Sequence, residues 1–299
     1  MKILVVGSIA LDSIETPFGK VESILGGSAV HFSCAASFFT PIGLVGVVGQ
    51  DFPQEHLDFL KERGVDLKGL KIDEGETFRW KGYYEYDLNQ AHTLDTRLNV
   101  FEKFHPRLPD EYRNTDFVFL ANIDPELQQE VLRQVEKPKF ICCDTMNFWI
   151  ETKPQALMET LELVDVALMN DSEARELCKT YSLVDASRKI LALGPRAVVF
   201  KKGEHGALMF TDSTHFSAPA FPLEEIKDPT GAGDSFAGGF LGYLAKTGEL
   251  SESNIRKAVI YGSVMASFNV EGFGLDRLRN LTHKEIEERY EIFRKITVF

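Results

Sequence analysis

Positive charge is scarce in this chain of 299 residues, which carries 33 lysines and arginines against 45 aspartates and glutamates and a formal net charge of −12. A protein that binds a nucleic-acid backbone through charge presents a basic surface, so this composition argues against a nucleic-acid partner. An acidic surface remains compatible with a small anionic ligand, because main-chain amides and a metal ion supply positive charge locally.

Long apolar runs are also missing. No segment offers the roughly 18 uninterrupted apolar residues of a membrane span, and residues 1–7 contain an apolar run too short for a secretion signal. Four cysteines without a C-x-x-C pair favour buried, reduced thiols, and seven scattered histidines without H-x-x-x-H spacing argue against a zinc enzyme. We therefore expect a cytoplasmic protein that makes no membrane contact.

The chain does contain a regular alternation of short apolar runs and helical stretches. The predicted strands are residues 2–6, 44–48, 117–121, 140–144, 164–169 and 197–201. The predicted helices are residues 28–39, 53–63, 126–135, 154–163, 172–181 and 184–193. This order predicts an α/β fold, with a doubly wound, mostly parallel sheet and helices on both of its faces.

Two stretches interrupt the alternation and predict a small β-sheet lid. In residues 76–86, Phe78, Trp80, Tyr84 and Tyr86 alternate with other residues, as is typical of a half-exposed antiparallel strand. We place the main domain at residues 1–10, 26–75 and 98–299, and the lid at residues 11–25 and 76–97. An edge extension of the core sheet is the alternative. The aromatic face suits either ligand cover or a homodimer contact.

The most informative segment is residues 227–236. Pro229 disfavours a helix before this point, while Gly231 and Gly233 permit a tight turn and a close approach of ligand to the backbone. An apolar helical stretch follows and ends at Gly248. The Gly-Ala-Gly amides therefore lie at the first turn of a helix, where amides and the helix dipole bind anions.

Asp234 stands directly beside this anion hole. An aspartate at a helix start is often a structural cap, but a carboxylate next to an amide nest can also take a proton from an alcohol during group transfer. Neither a P-loop nor a G-x-G-x-x-G fingerprint is present. Gly238, Gly239 and Gly242 each cost the helix about 1 kcal/mol, which a close approach of another helix or of a nucleotide base would explain.

The chain resembles the ribokinase-like (PfkB) carbohydrate kinases, because residues 228–236 match the C-terminal signature of that family. Further matches follow the family's order along the chain. They are Gly7-Ser8, Asp12, Gly26-Gly27, Gly49-Gln50-Asp51, Asn170-Asp171-Ser172-Glu173 and Lys202-Gly203-Glu204-His205-Gly206.

The resemblance implies a kinase that transfers the γ-phosphoryl group of ATP to a hydroxyl, usually on a sugar, with Mg²⁺. Asp234 would be the general base, and Gly231, Ala232 and Gly233 the anion hole. Substrate would contact Asp12, Gly26, Gly27 and His31; nucleotide would contact Asn170, Lys202, Gly203, Gly206, Gly231 and Gly233. Asn170 and Glu173 would organise Mg²⁺ through water, and Asp228, Thr230, Val270 and Gly272 would bind a monovalent cation such as K⁺.

One departure concerns the acceptor. Relatives commonly carry asparagine where this chain has His31, so this side chain is either a substrate contact or a core histidine satisfied by the backbone. The leading hypothesis is a sugar kinase. The alternatives are a nucleoside kinase, in which the lid aromatics stack on a base, and a non-catalytic protein that binds a sugar or nucleotide.

Overall fold

The computed structural model describes residues 2–297. The strands are β1 Ile3–Val6, β2 Ala10–Thr16, β3 Gly19–Gly26, β4 Ile42–Gly49, β5 Val65–Asp73, β6 Phe78–Tyr84, β7 Ala91–Arg97, β8 Phe117–Leu120, β9 Phe140–Asp144, β10 Val166–Asn170, β11 Ala197–Lys201, β12 Ala207–Phe210 and β13 His215–Ala218. The helices are α1 Ser28–Ala36, α2 Gln54–Glu62, α3 Asp110–Arg113, α4 Pro125–Leu132, α5 Asn147–Thr152, α6 Pro154–Leu161, α7 Asp171–Cys178, α8 Leu183–Leu191, α9 Ala232–Thr247, α10 Glu252–Asn269, α11 Asp276–Arg279 and α12 His283–Ile296.

The main sheet has the strand order β13-β12-β11-β10-β9-β8-β1-β4-β5. Its strands run parallel from β11 to β5, and β12 and β13 add an antiparallel edge. β1, β8, β10 and β11 are almost wholly buried apolar runs, because helices cover both faces of the sheet. The predicted fold class is confirmed.

The chain changes direction across the sheet at β1, which pairs with β8 on one side and β4 on the other. Ligands in open parallel sheets bind beyond the carboxyl ends of strands near such a switch point. Asp144, Asn170 and Lys201 end β9, β10 and β11 at this edge. The fold therefore gathers polar side chains where a site is expected.

Helix α9 is packed closely by two other helices. A Cβ on Gly238 would come 2.5 Å from the carbonyl oxygen of Phe32 in α1, and one on Gly239 would come 2.5 Å from that of Tyr261 in α10. A Cβ on Gly242 would come 2.9 Å from the ring of Phe39. The prediction that a neighbouring helix explains these glycines is confirmed.

The lid is a separate sheet of strand order β3-β2-β6-β7. β6 pairs antiparallel with β7, as predicted, but it pairs parallel with β2. Tyr86 lies beyond the end of β6 and is 83% exposed, so its assignment to the aromatic strand face is wrong. Phe78 stacks on Phe101 beneath the lid, with ring centroids 5.4 Å apart.

Two compositional expectations concern the thiols and the membrane. Cys34, Cys142 and Cys143 are buried and Cys178 is partly buried, all as free thiols. Along residues 2–297, no helix combines the length and apolarity that a bilayer crossing requires.

Candidate functional site

The helix α9 begins in a turn whose main-chain amides are not all hydrogen-bonded within the described residues. Gly231 adopts φ 75° as the N-cap residue, a left-handed conformation that favours glycine. Within the described residues, the amides of Gly231 and Gly233 donate to no acceptor of the chain. Ala232, which was expected to join them, instead donates its N–H to the carbonyl of Pro229 at 3.1 Å. The anion hole stays a prediction, with the two glycine amides as its donors.

His31 packs against this turn. Its Nδ1 lies 3.0 Å from Oδ1 of Asn269, which also accepts a hydrogen bond from the Ser235 hydroxyl, so Nδ1 must carry the hydrogen. Asn269 in turn donates through Nδ2 to the carbonyl of Thr230 at 2.7 Å. Burial lowers the pKa of His31 to about 4, so the ring is neutral, and its buried Nε2 has no partner within the described residues.

Asp12 lies against the predicted glycine pair. The side chain is 5% exposed, and a Cβ on Gly26 would overlap its carboxylate, so a larger residue at this position would displace Asp12. Burial raises the pKa of Asp12 to about 7, against the lowering effect of a hydrogen bond from the Gly27 backbone. The charges of Asp228 and Asp234 raise it further, which places Asp12 within electrostatic range of the α9 turn.

Asp234 lies at the first turn of α9, beside the glycine amides, with only a minor part of its surface open to solvent. Its surroundings raise the pKa of Asp234 to about 7, chiefly through burial and then through the negative charge of Asp144; Lys201 acts in the opposite direction. A carboxyl group with a pKa near neutrality can exchange a proton under physiological conditions. The predicted proton acceptor therefore lies next to the predicted anion hole.

Asn170 and Glu173 form a reciprocal capping box at the start of α7. The Glu173 amide donates to Oδ1 of Asn170 at 2.8 Å, and the Asn170 amide donates to Oε2 of Glu173 at 2.6 Å. Burial raises the pKa of Glu173 to about 8, while nearby Lys201 lowers it. Along residues 2–297, no three His, Cys, Asp or Glu side chains converge as a direct metal cage. The pair fits an Mg²⁺ ion that keeps its waters, since Glu173 retains a second oxygen.

Lys201 and Asp144 occupy the same edge and were missed in the sequence. Lys201 forms an ion pair with Asp144, with side chains 16% and 3% exposed. The Lys201 ammonium would lie 3.0 Å from a Cβ on Gly233, so it lies beside the predicted anion hole. Each residue ends an otherwise apolar parallel strand, which is the signal that could have identified them.

Lys202, which was predicted to contact the nucleotide, belongs to the glycine turn after β11. The turn is closed by main-chain hydrogen bonds and not by the Lys202 side chain. The Lys202 amide donates to the carbonyl of Gly206 at 2.8 Å, and Gly203 and Gly206 adopt φ 52° and 80°. A Cβ on Gly203 would come 3.3 Å from the Asn89 side chain of the lid. The turn lies one residue beyond Lys201, on the same side of the sheet as the α9 turn.

The four residues predicted to bind a monovalent cation lie around the loop that follows α10. Asp228 accepts hydrogen bonds from the amides of Thr230 and Gly274, each at 2.9 Å, and the Val270 carbonyl accepts from Lys227 at 2.8 Å. Gly272 follows in the same loop. A cation would have to share oxygens that the chain already uses, so this site stays a prediction.

The lid reaches the site through Tyr84 and is anchored at Asp51. The Thr230 hydroxyl donates to the Tyr84 oxygen at 3.2 Å. At the other end of β6, Asp51 accepts from the amide and hydroxyl of Thr77, both at 2.7 Å, and pairs with Arg79 at 2.6 Å. The Gly-x-Asp match of the sequence therefore ties the lid to the main domain.

Trp80 shares a lid face with Asp12. The two residues are directly paired in the β2–β6 register, and paired residues of neighbouring strands project to the same face. The indole N–H donates to the hydroxyl of Thr93 at 3.1 Å. An aromatic surface thus stands next to the buried carboxylate.

Comparisons with known proteins show which family and fold the chain is similar to. The model of the pfkB family of carbohydrate kinases matches residues 2–279. A cytidine kinase of Thermococcus kodakarensis is 30% identical over 259 residues, 84% of this chain and 91% of that relative. A nucleoside kinase of Methanocaldococcus jannaschii is 26% identical and covers 97% of both chains. The crystal structure of a Methanocaldococcus jannaschii nucleoside kinase, described as an archaeal member of the ribokinase family, superposes with a TM-score of 0.78 over 98% of this chain and 99% of that one, at 23% identity.

Proposed function

Because the chain belongs to the pfkB family of carbohydrate kinases, and is a kinase, we propose that it phosphorylates a hydroxyl group of a nucleoside with ATP. The observation that carries this proposal is Asp234, with its raised pKa, beside the amides of Gly231 and Gly233, which donate to no acceptor within residues 2–297. Phosphoryl transfer needs positioning and charge stabilisation rather than a covalent intermediate, and this edge of the sheet offers both.

In the proposed reaction, Asp12 accepts hydrogen bonds from substrate hydroxyls and orients the acceptor. Asp234 takes the proton of the attacking hydroxyl as its oxygen bonds to the γ-phosphorus and the bond to the ADP oxygen breaks. The amides of Gly231 and Gly233 stabilise the charge on the transferred group. Asn170 and Glu173 would hold Mg²⁺ through water, and the ion would neutralise charge on the phosphates.

Two observations favour a nucleoside over the free sugar that the sequence suggested first. Trp80 faces the same way as Asp12, so a ribose held by the carboxylate would bring its base towards the indole. The cytidine kinase and nucleoside kinase relatives match most of this chain. A non-catalytic binding protein is disfavoured because Asp234 and its glycines are all present.

The acceptor can be identified by measuring ADP release with ATP, Mg²⁺ and separate panels of nucleosides and sugars. We expect turnover with at least one nucleoside at a kcat/KM well above that for any sugar. Turnover confined to sugars would replace the acceptor assignment. Ligand binding without ADP release from either panel would favour the binding-protein alternative.

Replacing Trp80 with alanine should weaken nucleoside binding selectively. Stacking of a base on an aromatic side chain contributes about 1–3 kcal/mol, so we expect KM for the nucleoside to rise roughly 5- to 100-fold. Steady-state kinetics would show this rise with little change for a sugar substrate. Tyr86→Ala is the matched control, since that ring is 83% exposed beyond the strand. An equal rise in nucleoside KM in both variants would show that Trp80 does not contact the acceptor.

The pH dependence should report the proton acceptor. Asp234 works as a base only when ionised, and its pKa is raised to about 7 by burial and by Asp144. We therefore expect kcat/KM to fall as pH drops below about 7 and to level off above it, with Asp12 titrating in the same range. A profile from pH 5 to 9 that stays flat below pH 7 would contradict the assignment.

The remaining expectations concern location and assembly. Reduced, mostly buried cysteines favour a cytoplasmic protein. Phe18 and Leu94 of the lid are 56% and 57% exposed, so a homodimer through the lid stays a prediction that light scattering would test.

A further inference from the structure

The Lys201–Asp144 pair is unusual in its position, because it is buried at the catalytic edge rather than on the surface. Asp144 is 3% exposed, and the Lys201 ammonium reaches the vicinity of Gly233. Removing two charges from water costs several kcal/mol each, and an apolar pair of similar volume often stabilises a fold equally well. Stability alone therefore gives little reason for an ion pair in this place.

The surroundings of Lys201 are strongly acidic. Asp144, Glu173 and Asp234 all exert their negative charge on this ammonium. Lys201 is thus a single positive charge among three carboxyl groups, facing a glycine whose amide has no acceptor within the described residues. A transferred phosphoryl group bound at that amide would add negative charge beside the ammonium.

We propose that Lys201 binds the γ-phosphoryl group during transfer, and that Asp144 is a positioning residue that holds the ammonium in place. This inference rests on the proposed function and adds a catalytic residue to it. Lys201 keeps its proton throughout: the acceptor oxygen bonds to phosphorus, the bond to ADP breaks, and the acceptor proton passes to Asp234. A fixed positive charge stabilises the charge on the transferred group without reorganisation.

The first test compares Lys201→Met with the double variant Lys201→Met/Asp144→Leu. We expect each to lower kcat by about 10²- to 10³-fold. The double variant replaces both charges by apolar groups, so it should fold even if the single variant does not. A purely structural ion pair would let the double variant recover wild-type turnover, and that result would overturn the proposal. Lys139→Met is the matched control, since Lys139 pairs with Asp116 at 2.9 Å on the exposed opposite edge.

The second test needs no acceptor and separates this inference from the proposed function. Lys201 should favour a nucleotide that carries a γ-phosphate, so the preference for a non-hydrolysable ATP analogue over ADP should fall at least about tenfold in the double variant. Calorimetry with Mg²⁺ measures both affinities. An unchanged preference would refute the role of Lys201 even if a nucleoside is phosphorylated. A lost preference would support it even if no nucleoside or sugar in the panels is turned over.

Discussion

Asp234→Asn is expected to lower kcat by about 10²- to 10⁴-fold while nucleotide affinity stays within a few-fold of the wild type. The amide keeps the shape of the side chain but cannot accept the proton of the attacking hydroxyl. The glycine amides and Lys201 remain in place, so the phosphates keep their contacts. Single-turnover kinetics and calorimetry with ADP would separate the two effects.

The matched control for this variant is Asp185→Asn. Asp185 also lies in the first turn of a helix, but it pairs with Lys189 on the surface at 2.9 Å. We expect its activity to equal that of the wild type. An Asp234→Asn protein with turnover close to this control would exclude Asp234 as the general base.

The same substitution should stabilise the fold at neutral and alkaline pH. Burial raises the pKa of Asp234 to about 7 in the folded chain, well above that of an aspartate in water, so ionisation is disfavoured in the folded state. The resulting penalty is absent below about pH 4, grows through about pH 7, and is constant above it. We expect Asp234→Asn to raise Tm by roughly 2–4 °C at pH 8 for each kcal/mol relieved. A Tm gain that is the same at pH 4 would contradict this account.

The second large effect is expected for Gly231→Ala. Gly231 adopts φ 75°, and a Cβ there would overlap the ring of His31. Alanine keeps the amide, but accommodating its Cβ would move that amide out of position, and a misplaced donor of this kind typically costs about 10²- to 10³-fold in kcat. The strained backbone and the overlap together should also lower the free energy of unfolding by about 2–4 kcal/mol. Steady-state kinetics and urea denaturation measure the two losses.

Gly248→Ala is the control that separates the effect of the clash with His31 from the effect of backbone strain. Gly248 ends the same helix at φ 69°, and a Cβ there would meet nothing within 4 Å. This variant should lose about 1–2 kcal/mol of stability from backbone strain and retain its kcat. The double variant Gly231→Ala/His31→Ala removes the obstructing ring and should recover part of the stability. Equal stability and activity in the Gly231 and Gly248 variants would mean that the α9 turn tolerates a side chain.

The parts of this site that were predictable from sequence are those confined to short segments. Residues 228–236 contain both the glycine turn and Asp234, so their spacing alone indicated a helix start with an adjacent carboxylate. The aromatic alternation in residues 76–86 likewise indicated a lid strand. The parallel pairing of that strand with β2 was not readable, because partners in a parallel sheet are distant along the chain.

The parts that were missed depend on long-range contacts. His31 meets Asn269 across 238 positions, and Lys201 meets Asp144 across 57, so no local motif records either pair. Helix α10 was missed because most of its surface is buried, including both apolar and polar residues, which removes the usual periodicity. The sequence predicts a nucleotide contact at Lys202 because the glycine motif begins there, whereas in the structure the neighbouring Lys201 lies close to Gly233.

The pairing of β2 with β6 has a consequence for how the lid forms and moves. These two strands are separated in the chain by α1, β4, α2 and β5 of the main domain, so we expect the small sheet to assemble after those elements have brought its strands together. The lid sheet is then connected to the main domain by the backbone at four points. We expect the lid to move as a rigid body about these four connections. A fragment containing residues 76–97 alone should form only a marginally stable hairpin.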